Sequence, residues 1–181
     1  MGRRGPVAGL LAGWVLTGCG GSAGTQAALD VTPDGFHAVA ARPTPSYLCD
    51  PEPTTPPVPA PVLPEELGTP ESADFASAPT TLEAYAWTTA DAEALVAEAG
   101  AAAAACTWTA QGDEQRADAW SSADWSGTRI VRTVPGTEQV DRRLVTRGEV
   151  VLLVVTRTDS DDPASLAVAD TYLAAVADRL G

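Results

Sequence analysis

The stretch Glu149-Val-Val-Leu-Leu-Val-Val-Thr156 follows a glycine at position 148 and contains six consecutive aliphatic residues. A short continuous apolar run next to a turn residue is typical of a buried β-strand. Two further segments rich in strand-forming residues precede it, Gly127 to Val134 and Gln139 to Arg147. Turn residues at Pro135-Gly136 and at Gly148 separate the three segments, so the sequence predicts consecutive antiparallel strands.

Helical patterns and shorter strands flank these three segments. Residues 82–87 alternate like a short strand, and Cys106-Thr-Trp108-Thr is predicted to be another. Between them, Thr88 stands three residues before Asp91, which predicts a capped helix running to about Ala104. Asp162 followed by Pro163 predicts a second helix that continues to the end of the chain. The predicted class is α+β, an antiparallel sheet with two helices packed on one face, preceded by a Pro-rich arm.

Composition divides the chain into three parts. Residues 1–18 are predicted to be a lipoprotein signal peptide, and residues 19–45 lack apolar periodicity and are predicted to be a flexible tether. Residues 46–181 are predicted to form a single α+β domain, which includes the Pro-rich arm at 46–80. Proline at this density blocks helix formation and favours an extended path.

The N-terminal residues resemble a bacterial lipobox. A short positive segment with Arg3 and Arg4 precedes an apolar run from Val7 to Val15, which is shorter than the roughly 20 residues of a membrane-spanning helix. Leu16-Thr-Gly-Cys19 follows, and this pattern predicts cleavage before Cys19 and a lipid on its thiol. The expected location is the outer face of the cell membrane, held by that lipid. The alternative is an ordinary secretory signal with Cys19 as a free or paired thiol.

The chain contains three cysteines. If Cys19 carries lipid, Cys49 and Cys106 remain to pair in the oxidising space outside the membrane, where disulfides persist. Two separate buried thiols are the alternative. The spacing is not that of a Cys-x-x-C redox pair, so the predicted bond is structural.

Charge and residue types exclude several classes of function. The net charge is −13, and loss of the two signal-peptide arginines would make it about −15, so nucleic acid and anionic lipid headgroups would be repelled. Lysine is absent from the sequence and His37 lies in the predicted tether, which leaves no P-loop lysine and no histidine-based catalytic group in the domain. We predict no catalytic residues, no metal site and no cofactor, and therefore no enzyme.

Two groups of side chains are candidates for a binding surface. Trp120 and Trp125 lie in a polar segment and would form the flat apolar walls of a ligand pocket, or would instead fill the core of a domain that has only two Phe. Arg129 and Arg132 bring positive charge to a strongly acidic protein. They form either part of an anion-binding patch or a solvated sheet face paired with nearby acids.

Several stretches resemble a known family. Tyr85-Ala-Trp-Thr-Thr-Ala-Asp-Ala-Glu-Ala-Leu95, Arg147-Gly-Glu-Val-Val-Leu-Leu-Val-Val155 and the closing helix are similar to an actinobacterial group of cell-envelope lipoproteins. The folded part of those proteins resembles the extracellular sensor domain of PknH-type serine/threonine kinases, as does Leu63-Pro-Glu-Glu-Leu-Gly68. That kinase domain carries two disulfides, whereas only Cys49 and Cys106 are available here. Cys106-Thr-Trp108 also matches a second lipoprotein group of unknown function.

The resemblance implies a non-enzymatic module that binds or senses a ligand outside the cell. An envelope lipoprotein that docks a protein partner is the alternative function, and a hydrolase is a more distant third. The expected partners are the membrane, through the lipid on Cys19, and either a small ligand or an envelope protein.

Overall fold

A computed structural model describes residues 23–54, 59–159 and 162–181. The predicted signal peptide and the predicted lipidation site at Cys19 lie outside these described residues and stay predictions. Within the described residues, no helix has the length and the apolar character needed to cross a membrane.

Eight strands form one antiparallel sheet in the spatial order β1-β2-β3-β8-β7-β6-β5-β4. The predicted run at residues 149–156 lies in β8, which is paired on both sides, as its continuous apolar character requires. The predicted antiparallel sheet is therefore confirmed. The strands are β1 (His37–Val39), β2 (Glu71–Ser77), β3 (Thr80–Thr88), β4 (Trp108–Ala110), β5 (Asp113–Ser121), β6 (Ser126–Val134), β7 (Glu138–Arg147) and β8 (Val150–Thr158).

In the part of the chain that the structure describes, four α-helices accompany the sheet: α1 (Ala23–Leu29), α2 (Ala92–Ala102), α3 (Pro163–Leu166) and α4 (Val168–Leu180). The predicted start of α2 at Thr88 is wrong, because Thr88 pairs with Val150 as the last residue of β3. The predicted cap at Asp162 is confirmed, since its carboxylate accepts a hydrogen bond from the backbone N–H of Ala164. The predicted C-terminal helix is divided at Ala167 into α3 and α4.

Alternate residues of the central strand belong to two separate hydrophobic cores. Val151, Leu153 and Val155 of β8 pack in the core that contains α2. Leu152 and Val154 pack in the core that contains α1 and α4. Successive side chains of a strand point to opposite faces. The α+β class is confirmed, but the structure differs from the predicted placement of both helices on one face: α2 covers one face, and α1 with α4 covers the other.

The predicted tether contains two ordered elements. α1 packs against α4 and β3, with Ala28 fully buried and its carbonyl oxygen accepting a 3.0 Å hydrogen bond from the hydroxyl of Tyr172. Farther along, β1 pairs with β2 at one edge of the sheet. The structure thus differs from the predicted flexible tether at these residues, because tertiary packing stabilises a seven-residue helix that is marginal in isolation.

The Pro-rich arm lies over the α2 face of the sheet. Leu48 and Leu67 are buried in the same core as α2, and β2 begins within the predicted arm. The predicted disulfide is confirmed: Cys49 of the arm is bonded to Cys106, which follows α2, with their Cα atoms 5.9 Å apart. Cys106 lies in a 3₁₀ turn (Ala103–Cys106), so the strand predicted there begins at Trp108.

Candidate functional site

A cleft of about 600 Å³ lies between α2 and the sheet. One wall is α2 with the 3₁₀ turn that follows it, and the other is made by β5, β6 and the end of β7. The volume is within the range of about 300–1,000 Å³ that is typical of small-molecule sites. Its lining consists mainly of small side chains: Glu93, Val96, Ala97, Gly100, Ala103, Ala104, Ala117, Asp118, Ala119, Ser126, Gly127, Thr128 and Thr146.

The helical wall follows one side of α2. Glu93, Ala97, Gly100 and Ala104 recur every three or four residues, the spacing that places side chains above one another on one face of a helix. From residue 93 to residue 104 this face measures about 16 Å at 1.5 Å per residue. The cleft is therefore elongated along the helix, with Glu93 at one end and Ala104 at the other.

On β5 the sheet wall presents methyl groups and main chain, and on β6 and β7 it adds the hydroxyl-bearing side chains of Ser126, Thr128 and Thr146. Ala117 packs against the α2 core, whereas Trp120 packs against the α4 core. Because side chains alternate along β5, the side chain of Ala119 also faces the cleft, while that of Asp118 points to the opposite face. Asp118 therefore contributes main chain to the lining.

Gly100 lets the two walls approach each other closely, and Gly127 lets β6 and β7 approach each other within the sheet wall. A Cβ atom on Gly100 would lie 2.7 Å from the hydroxyl oxygen of Thr128, and one on Gly127 would lie 2.1 Å from the carbonyl oxygen of Leu144. Both distances are shorter than a van der Waals contact. The cleft consequently has a narrow floor where the backbone of α2 passes over β6.

Few polar side chains face the cleft. The hydroxyl of Thr146 is engaged, donating to the carbonyl oxygens of Gly148 and Val150 at 3.3 and 3.1 Å. Thr128 is 5% exposed, and its hydroxyl has no hydrogen-bond partner among the described residues. Glu93 is exposed at the end of the cleft and forms no ion pair with another described residue. The arrangement is suited to an apolar ligand with a small number of polar contacts.

The predicted tryptophans do not line this cleft. Trp125 is buried in the α4 core, and its indole N–H donates a 2.9 Å hydrogen bond to the carbonyl oxygen of Leu173. Trp120 packs against the same core, with the guanidinium of Arg143 located 4.8 Å from its ring centroid. Of the two roles considered for them, the structure gives both residues the core role.

The two predicted arginines lie on opposite faces of the sheet. Arg129 pairs with Asp141 at 2.9 Å on the α4 face. Arg132 pairs with Asp113 at 2.8 Å and with Asp50 at 3.3 Å on the α2 face. The hydrogen bond that Arg132 donates to Asp113 is the main reason why the pKa of Arg132 is raised. The structure therefore does not bring the four predicted ligand residues together, and both arginines are paired with acids.

Asp50, next to the disulfide, fastens the arm to the sheet. The carboxylate of Asp50 accepts hydrogen bonds from Arg132 and, at 2.9 Å, from Arg142. Its backbone carbonyl oxygen accepts hydrogen bonds from the indole N–H of Trp108 and the side-chain amide of Gln115. Gln115 is fully buried and donates to the carbonyl oxygen of Cys106 as well. These contacts are structural, and they join the arm to strands β4 to β7.

A second ionic cluster joins α4 to the sheet. Arg143 is fully buried and donates hydrogen bonds to Asp141 and Asp170, each at 3.0 Å through one guanidinium nitrogen. Burial acts to lower the pKa of Arg143, but the bonds to Asp170 and Asp141 outweigh it and the pKa is raised. The same bond from Arg143 lowers the pKa of Asp170.

Two acids face each other on the neighbouring strands β2 and β3, near Arg42. Asp74 of β2 is paired with Glu83 of β3, and they are 3% and 5% exposed. Glu83 accepts hydrogen bonds from Arg42, Arg157 and the hydroxyl of Tyr85 at 2.8, 3.3 and 3.2 Å. Burial raises the pKa of Asp74, although the hydrogen bond from the backbone N–H of Arg42 acts to lower it. The other carboxylate oxygen of Asp74 is buried without a partner among the described residues.

The raised pKa of Asp74 predicts a pH-dependent difference between the protein and an Asp74→Asn variant. A raised pKa means that the folded chain binds a proton more tightly than the unfolded chain does. The stability of the unmodified protein therefore decreases as pH rises from about the ordinary value of 3.8 through the raised pKa. The Asp74→Asn variant does not lose stability in this way. The urea midpoint of the variant minus that of the unmodified protein should therefore increase from pH 4 to pH 7.

Urea unfolding at several pH values measures this difference. Asp178→Asn, an exposed substitution on α4, is the matched control and should give a curve parallel to that of the unmodified protein. Parallel curves for Asp74→Asn and the unmodified protein would contradict the role given to the buried carboxyl.

The cleft could not be predicted from the sequence because its lining contains few charged or reactive side chains. The small residues of α2 are ordinary helix formers, and β5, which forms the outer part of the sheet wall, was not predicted as a strand. The one available signal was the recurrence of Ala97, Gly100 and Ala104 on one side of α2. Such spacing indicates close packing at least as often as a ligand site. Among the described residues, no group of three or more His, Cys, Asp or Glu side chains is placed to hold a metal ion.

Fold and geometry define an antiparallel α+β domain with a small-residue cleft under one helix. No protein-family model matches the chain, and no curated protein sequence is significantly similar to it. Among solved structures, it is similar to the crystal structure of the extracellular domain of PknH from Mycobacterium tuberculosis. The TM-score is 0.39 and the identity 14%, over 59% of this chain and 63% of that chain. At that level the likeness shows nothing about activity.

Proposed function

We propose that this protein is an extracytoplasmic module that binds a small apolar ligand in the cleft under α2, without converting it chemically. The observation that carries the proposal is the cleft itself, which has a ligand-sized volume, small apolar walls and few polar groups.

Trp substitutions on α2 test this function. Ala97 is an exposed residue that lines the cleft, whereas Ala101 is exposed on the same helix and does not line it. Ala97→Trp should fill the cleft and reduce the affinity for the neutral fluorescent probe N-phenyl-1-naphthylamine at least about tenfold, the equivalent of about 1.4 kcal/mol. Fluorescence titration of the full chain measures it, and Ala101→Trp should bind the probe as the unmodified protein does. Absence of probe binding, or equal binding by the two variants, would refute the proposal.

We further propose that the module is held on the outer face of the membrane by a lipid on Cys19. The Cys49–Cys106 disulfide supports an oxidising location outside the cytoplasm. The apolar run and the Leu16-Thr-Gly-Cys19 motif support lipidation, and two or more acyl chains would anchor the protein durably. Cells fed a labelled palmitate analogue should incorporate it into the unmodified chain and not into a Cys19→Ser variant. Equal labelling of both chains would exclude this anchor.

A further inference from the structure

The shape of the cleft restricts the ligand further. The face of α2 that lines it extends for about 16 Å, whereas across the sheet the cleft reaches only β5, β6 and the end of β7, three strands that are about 4.8 Å apart. The small side chains of Ala97, Gly100 and Ala119 leave a smooth, shallow floor. An unbranched aliphatic chain matches this long and narrow space better than a thick hydrocarbon cage does.

The charge of the cleft restricts the head group. Glu93 stands at the end of the cleft where α2 begins, is exposed, and has no ion-pair partner among the described residues. The described lining residues include no basic side chain. Arginines elsewhere in the described part already form ion pairs. Arg132 and Arg142 pair with Asp50, and Arg129 pairs with Asp141. A carboxylate or phosphate head would therefore meet an unfavourable potential, and a cationic head a favourable one.

We propose that the ligand is a single unbranched alkyl chain with a cationic head group, which lies along α2 with the head at Glu93. This inference rests on the proposed ligand-binding function. The chain lies over the floor of the cleft, where the backbone of α2 approaches Thr128 at Gly100. The apolar contacts with the walls supply most of the affinity, and the carboxylate of Glu93 sets the preference for the head group.

Displacement of N-phenyl-1-naphthylamine by a matched series of compounds tests the ligand class. The compounds are decylamine, decanol and decanoate, which share one chain, and 1-adamantylmethylamine, which keeps the ammonium on a bulky cage. All are used below their micellar concentrations with the full chain carrying Cys19→Ser. Decylamine should displace the probe most readily, with decanol weaker by about 1.5- to 5-fold, the range for one exposed ion pair. Decanoate and 1-adamantylmethylamine should both be weaker than decanol.

Two variants on α2 separate the head-group effect from binding itself. Glu93→Gln should reduce the affinity for decylamine to that for decanol while leaving decanol unchanged. Glu98→Gln removes an exposed carboxylate of the same helix that does not line the cleft, and should keep the preference. Decanoate binding as well as decylamine, or 1-adamantylmethylamine binding as well as decylamine, would overturn the ligand class while the cleft remained a binding site. Failure of the naphthylamine probe itself to bind would instead overturn the proposed function.

Discussion

Replacing both Cys49 and Cys106 by alanine is expected to lower the free energy of unfolding by about 4 kcal/mol. The two cysteines are separated by 57 positions, and the bond removes the conformational freedom of that long loop from the unfolded chain. Both residues are buried in the α2 core, at 2% and 0% exposure, so the loss of packing adds to the effect. Urea unfolding followed by tryptophan fluorescence measures it, with Cys19→Ser in every variant.

The reductant dependence provides the control for this prediction. Dithiothreitol should destabilise the disulfide-bonded protein by a similar amount and leave the double alanine variant unchanged. An unfolding midpoint that neither the reductant nor the double substitution shifts would show that the bond contributes nothing to stability.

Arg143→Met is expected to cost about 3–5 kcal/mol, the typical penalty for removing one partner of a buried ion pair. The substitution leaves the carboxylate of Asp141, which is 2% exposed, with Arg129 as its remaining cation. It also removes the bond that fastens Asp170 at the start of α4 to the sheet. The same loss of contact with Arg143 should loosen the packing of Trp120, which thermal unfolding and fluorescence report together.

Arg179→Met is the matched control for this substitution. Arg179 also lies on the α4 side and pairs with Asp30, but both side chains are about half exposed and their closest approach is 3.8 Å. An exposed pair of this kind contributes less than about 1 kcal/mol. If Arg143→Met were as mild as Arg179→Met, the buried cluster would not be holding α4 on the sheet.

The central sheet could be predicted because its sequence signals are local. Six consecutive aliphatic residues at 150–155 require burial on both faces, and the glycine at 148 fixes the reversal of the chain. The Asp162 cap likewise depends on a bond between near neighbours. The Cys49–Cys106 bond follows from counting cysteines once Cys19 is assigned elsewhere, which needs no geometry.

The remaining features depend on contacts between distant residues. α1 is stabilised by packing on α4, about 140 positions away in the chain, and nothing within residues 23–29 alone predicts it. The continuous apolar character of β8 shows that both faces are covered, but not which helix covers which face. Trp125 lies in the core, where its indole N–H donates to the carbonyl oxygen of Leu173, and the narrow floor of the cleft depends on Gly100, which lets the backbone of α2 approach β6. Neither contact can be predicted from the types and spacing of the side chains.

The disulfide also changes how the molecule responds to tension. When the chain is pulled from its two ends, force travels from Cys49 directly through the sulfur atoms to Cys106. The covalent chain between them, which includes β2, β3 and α2, cannot be extended while the bond is intact. About 200 Å of potential extension is thereby withheld, since 57 residues would each add about 3.5 Å. A domain stretched between a fixed base and a moving surface would lengthen only outside this loop, so the helical wall of its cleft could not be drawn out into extended chain.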